Sequence, residues 1–421
     1  MKAILLSLGS RGDIEPFLAL GEMLKEKKWE VIYVFPEQFR ELVGNDNFYG
    51  FTKEFIEVLL ADEQSKIITS RSGSFFKRLK TLFILAKKSI RINKEVTLKQ
   101  KEIFDKEQPD YIFFNQKCVF PIIWEFANPN KGILVHPFPC FLHKVDNHSI
   151  IGFGGGGNYG KFLNRFSYSL QNVALSLATY YTTKKYHKEL IGEIINPLQI
   201  RKRLLNKAKS FYTISPTLFP QPRDWKRNAN VVGYFERNKI KNWEPDKSLE
   251  QFIEKYDKII FITFGSILNT NPTQKTKAIL NTLSKHKTPA IINTSWGGLV
   301  KPEKYPDHIY FVNTIPYDWI LPEIYAVIHH GGSGTTHLAL KYGCASLIIP
   351  HFIDQFYWNT IIHKLKVGGK GVSIKKLNES NFETLLLDLL NNENYKENAE
   401  KIAKEMQDEN NTERLMKLIL E

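Results

Sequence analysis

Short apolar runs rich in β-branched residues alternate with helix-like segments in two separate series along this chain, which restricts it to stacked β–α–β units built on parallel sheets. The first series opens with "KAILLSL" and "WEVIYVF", separated by a helix-like segment from Pro16 to Lys28, and further strands are expected at 111–116, 132–136 and 210–215. Around Gly233 the texture turns polar and charged, with Pro245 inside it, and reads as a linker entering a short helix. A second series begins with "IIFITFGS" at 259–266 and continues at 289–295, 309–315, 325–330 and 345–350, before a helical end from about Phe382 to Glu421. The expected class is α/β, with two doubly wound Rossmann-like domains. The expected boundaries are 1–235, a linker at 236–258, a second domain at 259–405, and a helix at 406–421 that can return to the first domain. Ligands of such folds bind outside the carboxyl ends of the strands, so facing domains would share a central cleft. The stretch "FLHKVDNHSIIGFGGGGNYGKFLNRFSYSL" breaks the alternation and reads as a flexible, aromatic-rich loop.

At 421 residues the chain exceeds one ordinary core, in keeping with two domains. No run of eighteen uncharged apolar residues is present, and the first strand is too short for a signal peptide. Three widely spaced cysteines, Cys118, Cys140 and Cys344, suit a reducing, cytoplasmic setting. The formal net charge of +14 favours anionic partners, but the basic residues are scattered and no nucleic-acid motif accompanies them. The densest basic stretch, Phe75 to Lys101, interleaves cations with apolar residues. It reads either as a solvated helix face or as a peripheral contact with an anionic membrane.

The most informative stretch is "IHHGGSGTTHLALKYGC" at 328–344. His329 and His330 are adjacent, so on a strand they point to opposite faces and cannot clasp one ion, and no cysteine or acidic partner stands at ligand spacing. No metal is expected. A strand that runs through Gly331, Gly332, Ser333, Gly334 and Thr335 into a helix can bring backbone N–H groups close to a phosphate. Residue types alone leave that reading level with a plain βα turn capped by Thr336. The pattern is neither a Walker loop nor a dinucleotide fingerprint.

This stretch resembles the donor-binding signature of family 1, UDP-glycosyltransferase-type enzymes of GT-B fold, and is most similar to their bacterial and sterol-type branch. "GSRGDIEPFLALG" (9–21), "ITFGSI" (262–267) and "PHFIDQFYWN" (350–359) resemble further segments of that branch in the same order. The resemblance touches both halves and leaves about 40–205 uncovered.

The resemblance implies a metal-free, inverting transfer of a hexose from a nucleotide diphosphate sugar, UDP-glucose foremost, to a hydroxyl of a lipophilic acceptor, with no cofactor. It implies Asp13 as general base, with Ser10, Arg11 and Gly12 forming the loop around it. His330, Gly332, Ser333, Gly334, Thr335, Gly265 and Ser266 would hold the diphosphate. Asp354 and Gln355 would bind the sugar hydroxyls, and Trp296 and Ile315 would border the nucleobase and ribose. Asp13 also suits a plain helix-capping role. A helix start favours the anionic carboxylate and so opposes its use as a base, whereas desolvation by an apolar acceptor acts the other way. Leu338 stands where plant members carry a ribose-binding glutamate, and Ala345 where the family has proline, which leaves uridine against thymidine open. Rival readings are a nucleotide-sugar epimerase or hydrolase on the same fold, and a non-catalytic nucleotide-sugar binding protein.

Overall fold

A computed structural model describes residues 1–44, 47–51, 93–151, 157–237, 243–265, 267, 269, 271–295, 297–352, 354–409 and 411–421. The chain divides into two compact units. The first comprises Met1–Ile150, Asn158–Thr213 and Gln221–Phe235; the second comprises Ile151–Gly157, Ile214–Pro220 and Glu236–Glu421.

The first unit is built on a seven-stranded sheet in the order β3-β2-β1-β4-β5-β6-β7, every pair parallel. Its strands are β1 (Lys2–Leu6), β2 (Glu30–Pro36), β3 (Phe48–Phe51), β4 (Tyr111–Phe114), β5 (Gly132–His136), β6 (Lys209–Tyr212) and β7 (Ala229–Val231). Alternate residues Ile4, Leu6, Ile32, Val34, Ile112 and Phe114 form one continuous core with Phe120, Ile123, Ile200 and Leu204. Leu5, Val31 and Phe113 on the opposite face are buried as well, as a parallel sheet covered on both sides requires. The helices used below are α1 (Arg11–Glu26), α2 (93–107), α3 (Phe120–Ala127), α4 (Lys161–Thr183) and α5 (Pro197–Asn206).

In the second unit the sheet has five parallel strands in the order β10-β9-β8-β11-β12. These are β8 (Ile260–Thr263), β9 (Ala290–Asn293), β10 (Ile309–Val312), β11 (Ala326–His329) and β12 (Ala345–Ile348). Its helices include α6 (Lys247–Lys255), α7 (Pro272–Lys285), α8 (Ser333–Lys341), α9 (Gln355–Lys364), α10 (Glu379–Asn391), α11 (Glu393–Gln407) and α12 (Asn411–Leu420). Ile260, Ile262, Ile292, Ile328 and Leu347 pack with Ile279, Leu283, Phe382 and Leu386.

Both sheets reverse their strand order once, between β1 and β4 and between β8 and β11. Those reversals open crevices at the carboxyl ends of the strands.

Three expectations change. α1 begins at Arg11 rather than Pro16, because Ser10 and Asp13 form a capping box that starts the helix earlier, with Pro16 inside it. Residues 161–170, expected as the end of a flexible loop, instead open a 23-residue helix, Lys161–Thr183. The terminal helix α12, expected as a possible return to the first half, is part of the second unit, as are the described residues of the expected linker.

Candidate functional site

In the first unit the site grows from the loop that leaves β1. Buried Asn115, just past β4, donates from Nδ2 to Ser7 Oγ at 2.9 Å and to the Leu8 carbonyl at 2.7 Å. Ser7 Oγ in turn donates to the Asp13 carbonyl at 2.8 Å. One amide thus ties the loop after β1 and the first turn of α1 to the neighbouring strand. Ser10 donates to Asp13 Oδ2 from both its backbone N–H, at 2.8 Å, and its hydroxyl, at 3.1 Å. Lys117 Nζ reaches the same oxygen at 3.2 Å. Every hydrogen bond to the carboxylate from the described residues therefore lands on Oδ2, which orients Asp13 and leaves Oδ1 without one.

Gly9 makes this close approach possible. Its φ is +137°, and a Cβ there would collide with Asp13 Oδ2 and lie 2.7 Å from Lys117 Nζ. Gly12 is different, because a Cβ there would find nothing nearer than Ser10 Oγ at 3.8 Å. Arg11 pairs with Glu15 at 3.0 Å along the helix.

In the second unit the signature follows β11 and enters α8. Gly331 turns with φ +88°, where a side chain would strike Ile348 Cγ2 at 2.6 Å. Gly332 is the N-cap and supplies no side-chain cap to the helix. Thr336, expected as the cap, instead lies inside the first turn and donates its hydroxyl back to the Gly332 carbonyl at 2.9 Å. A helix that opens on a glycine N-cap presents its first backbone N–H groups with no N-cap side chain over them. Ser333, exposed Gly334 and half-buried Thr335 line that start.

The His330 imidazole stands directly before it, between two glycines. A Cβ at Gly265, whose φ is +59°, would lie 2.9 Å from its Cε1, and a Cβ at Gly332 would collide with its Nε2. Although the residue keeps some exposed surface, Nδ1 is buried with no partner among the described residues. Burial, reinforced by nearby His351, pushes the His330 pKa down to about 3, against a smaller opposing pull from the Thr263 carbonyl. The ring is neutral at physiological pH and retains one N–H to donate. His351 stacks edge-on to Phe264 with centroids 5.0 Å apart, and burial holds its pKa at about 4.

The His329 and His330 rings stand edge to face, with planes at 89° and centroids 6.3 Å apart. Among the described residues no three His, Cys, Asp or Glu side chains are grouped to hold a metal ion. His337 has a structural role: Ser215 N–H donates to its Nε2 at 3.0 Å, so Nδ1 carries the proton and donates to the Ser333 carbonyl at 2.7 Å.

Asp354 is the N-cap residue of α9, and buried Gln355 follows. Gln355 Oε1 accepts the N–H groups of His351 at 2.7 Å and Phe352 at 3.2 Å, so its carbonyl end braces the loop that leads into α9. Ile315 is buried ahead of Pro316. Ser266, Trp296 and the glycine run at 152–156 lie outside the described residues, as does most of the basic stretch, 75–92. Sequence reasoning missed Lys117 and Asn115. Their only signal was position, just past β4 beside the reversal of strand order, and that requires the strand order to be known.

Residues 3–108 match the glycosyltransferase family 28 N-terminal domain, and residues 278–420 match the C-terminal domain of erythromycin biosynthesis protein CIII-like proteins. A sterol 3-beta-glucosyltransferase of Komagataella phaffii is 25% identical over 425 residues, covering 97% of this chain and 33% of that protein. The chain spans between 31% and 66% of the length of several such curated relatives. Among solved structures, the glycotransferase of kitacinnamycin superposes with a TM-score of 0.70 at 13% identity, covering 99% of this chain and 97% of that one. The spinosyn rhamnosyltransferase SpnG, solved with thymidine diphosphate, gives a TM-score of 0.65 at 13% identity over 100% of both chains. Two parallel-sheet α/β units, with a match to a glycosyltransferase family 28 N-terminal domain in one and to a CIII-like C-terminal domain in the other, give this chain the GT-B fold.

Proposed function

We propose that the protein moves a hexose from a nucleotide diphosphate sugar, UDP-glucose foremost, to the hydroxyl of a lipophilic acceptor of sterol-like chemistry, working peripherally at an anionic membrane. The observation that carries the donor half is the neutral His330 imidazole that two glycines, Gly265 and Gly332, admit beside the glycine-capped start of α8. Such a start offers N–H donors to the charge that develops on a leaving diphosphate without a cation. The acceptor half rests on the sterol 3-beta-glucosyltransferase relatives, whose own activity is the guide here.

The proposed reaction is a single displacement. The acceptor oxygen attacks the anomeric carbon, its proton passes to Asp13 Oδ1, and the bond to the diphosphate oxygen breaks with its electron pair leaving on the nucleotide. The configuration at the anomeric carbon inverts. Ser10 and Lys117 hold Oδ2 so that the other oxygen is presented to the acceptor. Gly265, Ser266, Gly332, Ser333, Gly334, Thr335 and His330 would receive the diphosphate, Asp354 and Gln355 the sugar, and Trp296 and Ile315 the nucleoside side.

The test is direct. The protein is incubated with UDP-glucose and, separately, TDP-glucose, each with and without a panel of sterols and other lipophilic alcohols, and products are analysed by mass spectrometry and NMR. A β-glucoside formed only with added alcohol supports the reading. Nucleotide release that is independent of alcohol makes the protein a hydrolase, and no turnover with any pair overturns the assignment.

A further inference from the structure

Helix α4 is amphipathic in the wrong sense for a helix on a water-facing surface. Its inward face is polar, with Asn164, Ser167, Asn172, Ser176, Thr179 and Thr183 all buried. Its outward face carries Phe162, Phe166, Leu170, Val173, Leu177 and Tyr181, which recur every three or four residues, and Phe162 is 81% exposed.

The inward face is fixed by the loop it covers. Asn164 Nδ2 donates to the Asp146 carbonyl at 2.9 Å, and Asn172 Nδ2 to the Leu142 carbonyl at 3.1 Å. Ser167 Oγ accepts the Ile150 N–H at 2.9 Å, and Tyr168 donates to the His148 carbonyl at 3.3 Å. Irregular backbone at 142–150 is thereby satisfied by side chains, and turning the helix over would strand those groups. The apolar stripe is outward by construction, over about 30 Å of helix.

Charge is arranged to match. From Phe166 to Thr183 the sequence carries no Asp, Glu, Lys or Arg, so the stripe lacks the charges that normally keep an exposed helix in water. Exposed Lys184, Lys185 and Lys188 follow at once, and the next acid, Glu189, is held by Lys101 at 2.8 Å. Exposed aromatic rings stand near both ends, Phe162 and Phe166 at one and Tyr181 at the other. Among the described residues no helix is long and apolar enough to cross a membrane, so a helix with one polar face and basic residues at its end fits the plane of the interface. The net charge of +14 works against pairing with a second copy and for an anionic surface.

We propose that the outward face of α4 docks on an anionic lipid bilayer, its apolar stripe entering the headgroup–acyl boundary and Lys184, Lys185 and Lys188 meeting the lipid phosphates and carboxylates. This names the surface behind the peripheral membrane contact proposed above. It is measured without nucleotide sugar, so its failure leaves sugar transfer standing, and the failure of sugar transfer leaves it standing.

The experiment is co-sedimentation with vesicles of phosphatidylcholine containing about one third phosphatidylserine, and with phosphatidylcholine alone. The wild-type chain should sediment with the anionic vesicles, and Phe162→Ser/Phe166→Ser/Leu170→Ser should weaken this by roughly tenfold or more while its thermal melt is kept. Lys184→Glu/Lys188→Glu should also weaken it. Equal sedimentation of the triple-serine variant and wild type overturns the proposal. So does a wild-type dimer that the triple variant converts to monomer, because the stripe would then be a self-interface. A third readout uses Leu170→Cys, which is clean because Cys118, Cys140 and Cys344 are all buried. Rapid maleimide labelling that anionic vesicles suppress supports docking, whereas slow labelling without vesicles shows that the chain covers the stripe itself and overturns it.

Discussion

Lys117 Nζ lies 3.2 Å from Asp13 Oδ2, on the oxygen that Ser10 already engages from its backbone and its hydroxyl. Asp13 is therefore both a helix-capping residue and the carboxylate proposed to take the acceptor proton, and the two roles use different oxygens. Asp13→Asn keeps an oxygen for the cap but removes the base. Turnover should fall by about a thousandfold or more, with a stability cost of about 1 kcal/mol or less. Nucleotide affinity, read by calorimetry, should stay near the wild-type value. A parallel loss of affinity and turnover would make Asp13 structural only.

Gly9 and Gly12 flank the same carboxylate and should respond oppositely. Gly9→Ala forces a side chain onto Asp13 in a left-handed conformation, so it should lower the melting temperature and activity together. Gly12→Ala makes only an ordinary contact with Ser10 Oγ among the described residues and should fold normally. A raised acceptor KM at unchanged melting temperature would then place the acceptor against Gly12.

At the donor end, Gly332→Ala should drive a methyl group into His330 Nε2. The expected outcome is a rise in donor KM or Kd of roughly tenfold to a hundredfold, about 1.4–2.7 kcal/mol, in a protein that still folds. His330→Asn, which preserves a donor but not the ring, should show a smaller loss. Unchanged nucleotide binding in both variants would remove the diphosphate from this position.

Buried histidines set an acid limit on stability. Burial lowers the pKa of His136 to about 3, and of His143 and His337 to about 4. The unfolded chain has the ordinary value near 6.5, so below that pH it binds protons that the folded chain refuses. The contribution of these rings is complete above pH 6.5 and is lost as pH falls toward 4, by up to about 1.4 kcal/mol per pH unit for each. Urea midpoints at pH 7, 6 and 5 should fall progressively. His337→Gln should lower stability at pH 7 and flatten the slope. A midpoint constant from pH 7 to 5 would contradict the burial argument.

Glu125 is 1% exposed, and burial raises its pKa while Arg203 opposes the rise. Arg203 Nε reaches Glu125 Oε2 at 2.7 Å and Nη2 reaches Oε1 at 3.0 Å, a two-pronged pair that joins α3 to α5. Arg203→Ala would leave a buried carboxylate unpaired and should cost about 3–5 kcal/mol at neutral pH. The double variant with Glu125→Leu should recover much of that in denaturant titrations.

The interior strands were legible because both faces of a parallel sheet are buried, which writes each one as a short continuous apolar run such as "KAILLSL" or "YAVIHH". The edge strands Phe48–Phe51 and Ala229–Val231 were not, being four and three residues long with too little pattern to register. Helix α4 escaped for a different reason. Its apolar residues do follow helical spacing, but they face outward behind a run of glycines, so its pattern did not read as the buried side of a helix. At the site, residue types after β11 left a phosphate cradle level with a plain turn, and only the fold sets the His330 ring between Gly265 and Gly332, residues far apart in the chain. Lys117 carried no local signal.

The stretch Ile214–Pro220 belongs to the second unit although the chain resumes the first at Gln221. Glu409, near the far end of the sequence, holds it there through Ser215 Oγ at 2.5 Å, Thr217 N at 3.2 Å and Thr217 Oγ1 at 2.9 Å. The chain thus enters the second unit at Ile214–Pro220 before it passes into it again from Glu236. A fragment cut after Thr213 forfeits edge strand β7, and one cut after Phe235 leaves the loop at 215–217 without its glutamate. Chimeras that exchange donor halves between relatives will keep that loop's hydrogen bonds only if the incoming half brings an acid able to grip it.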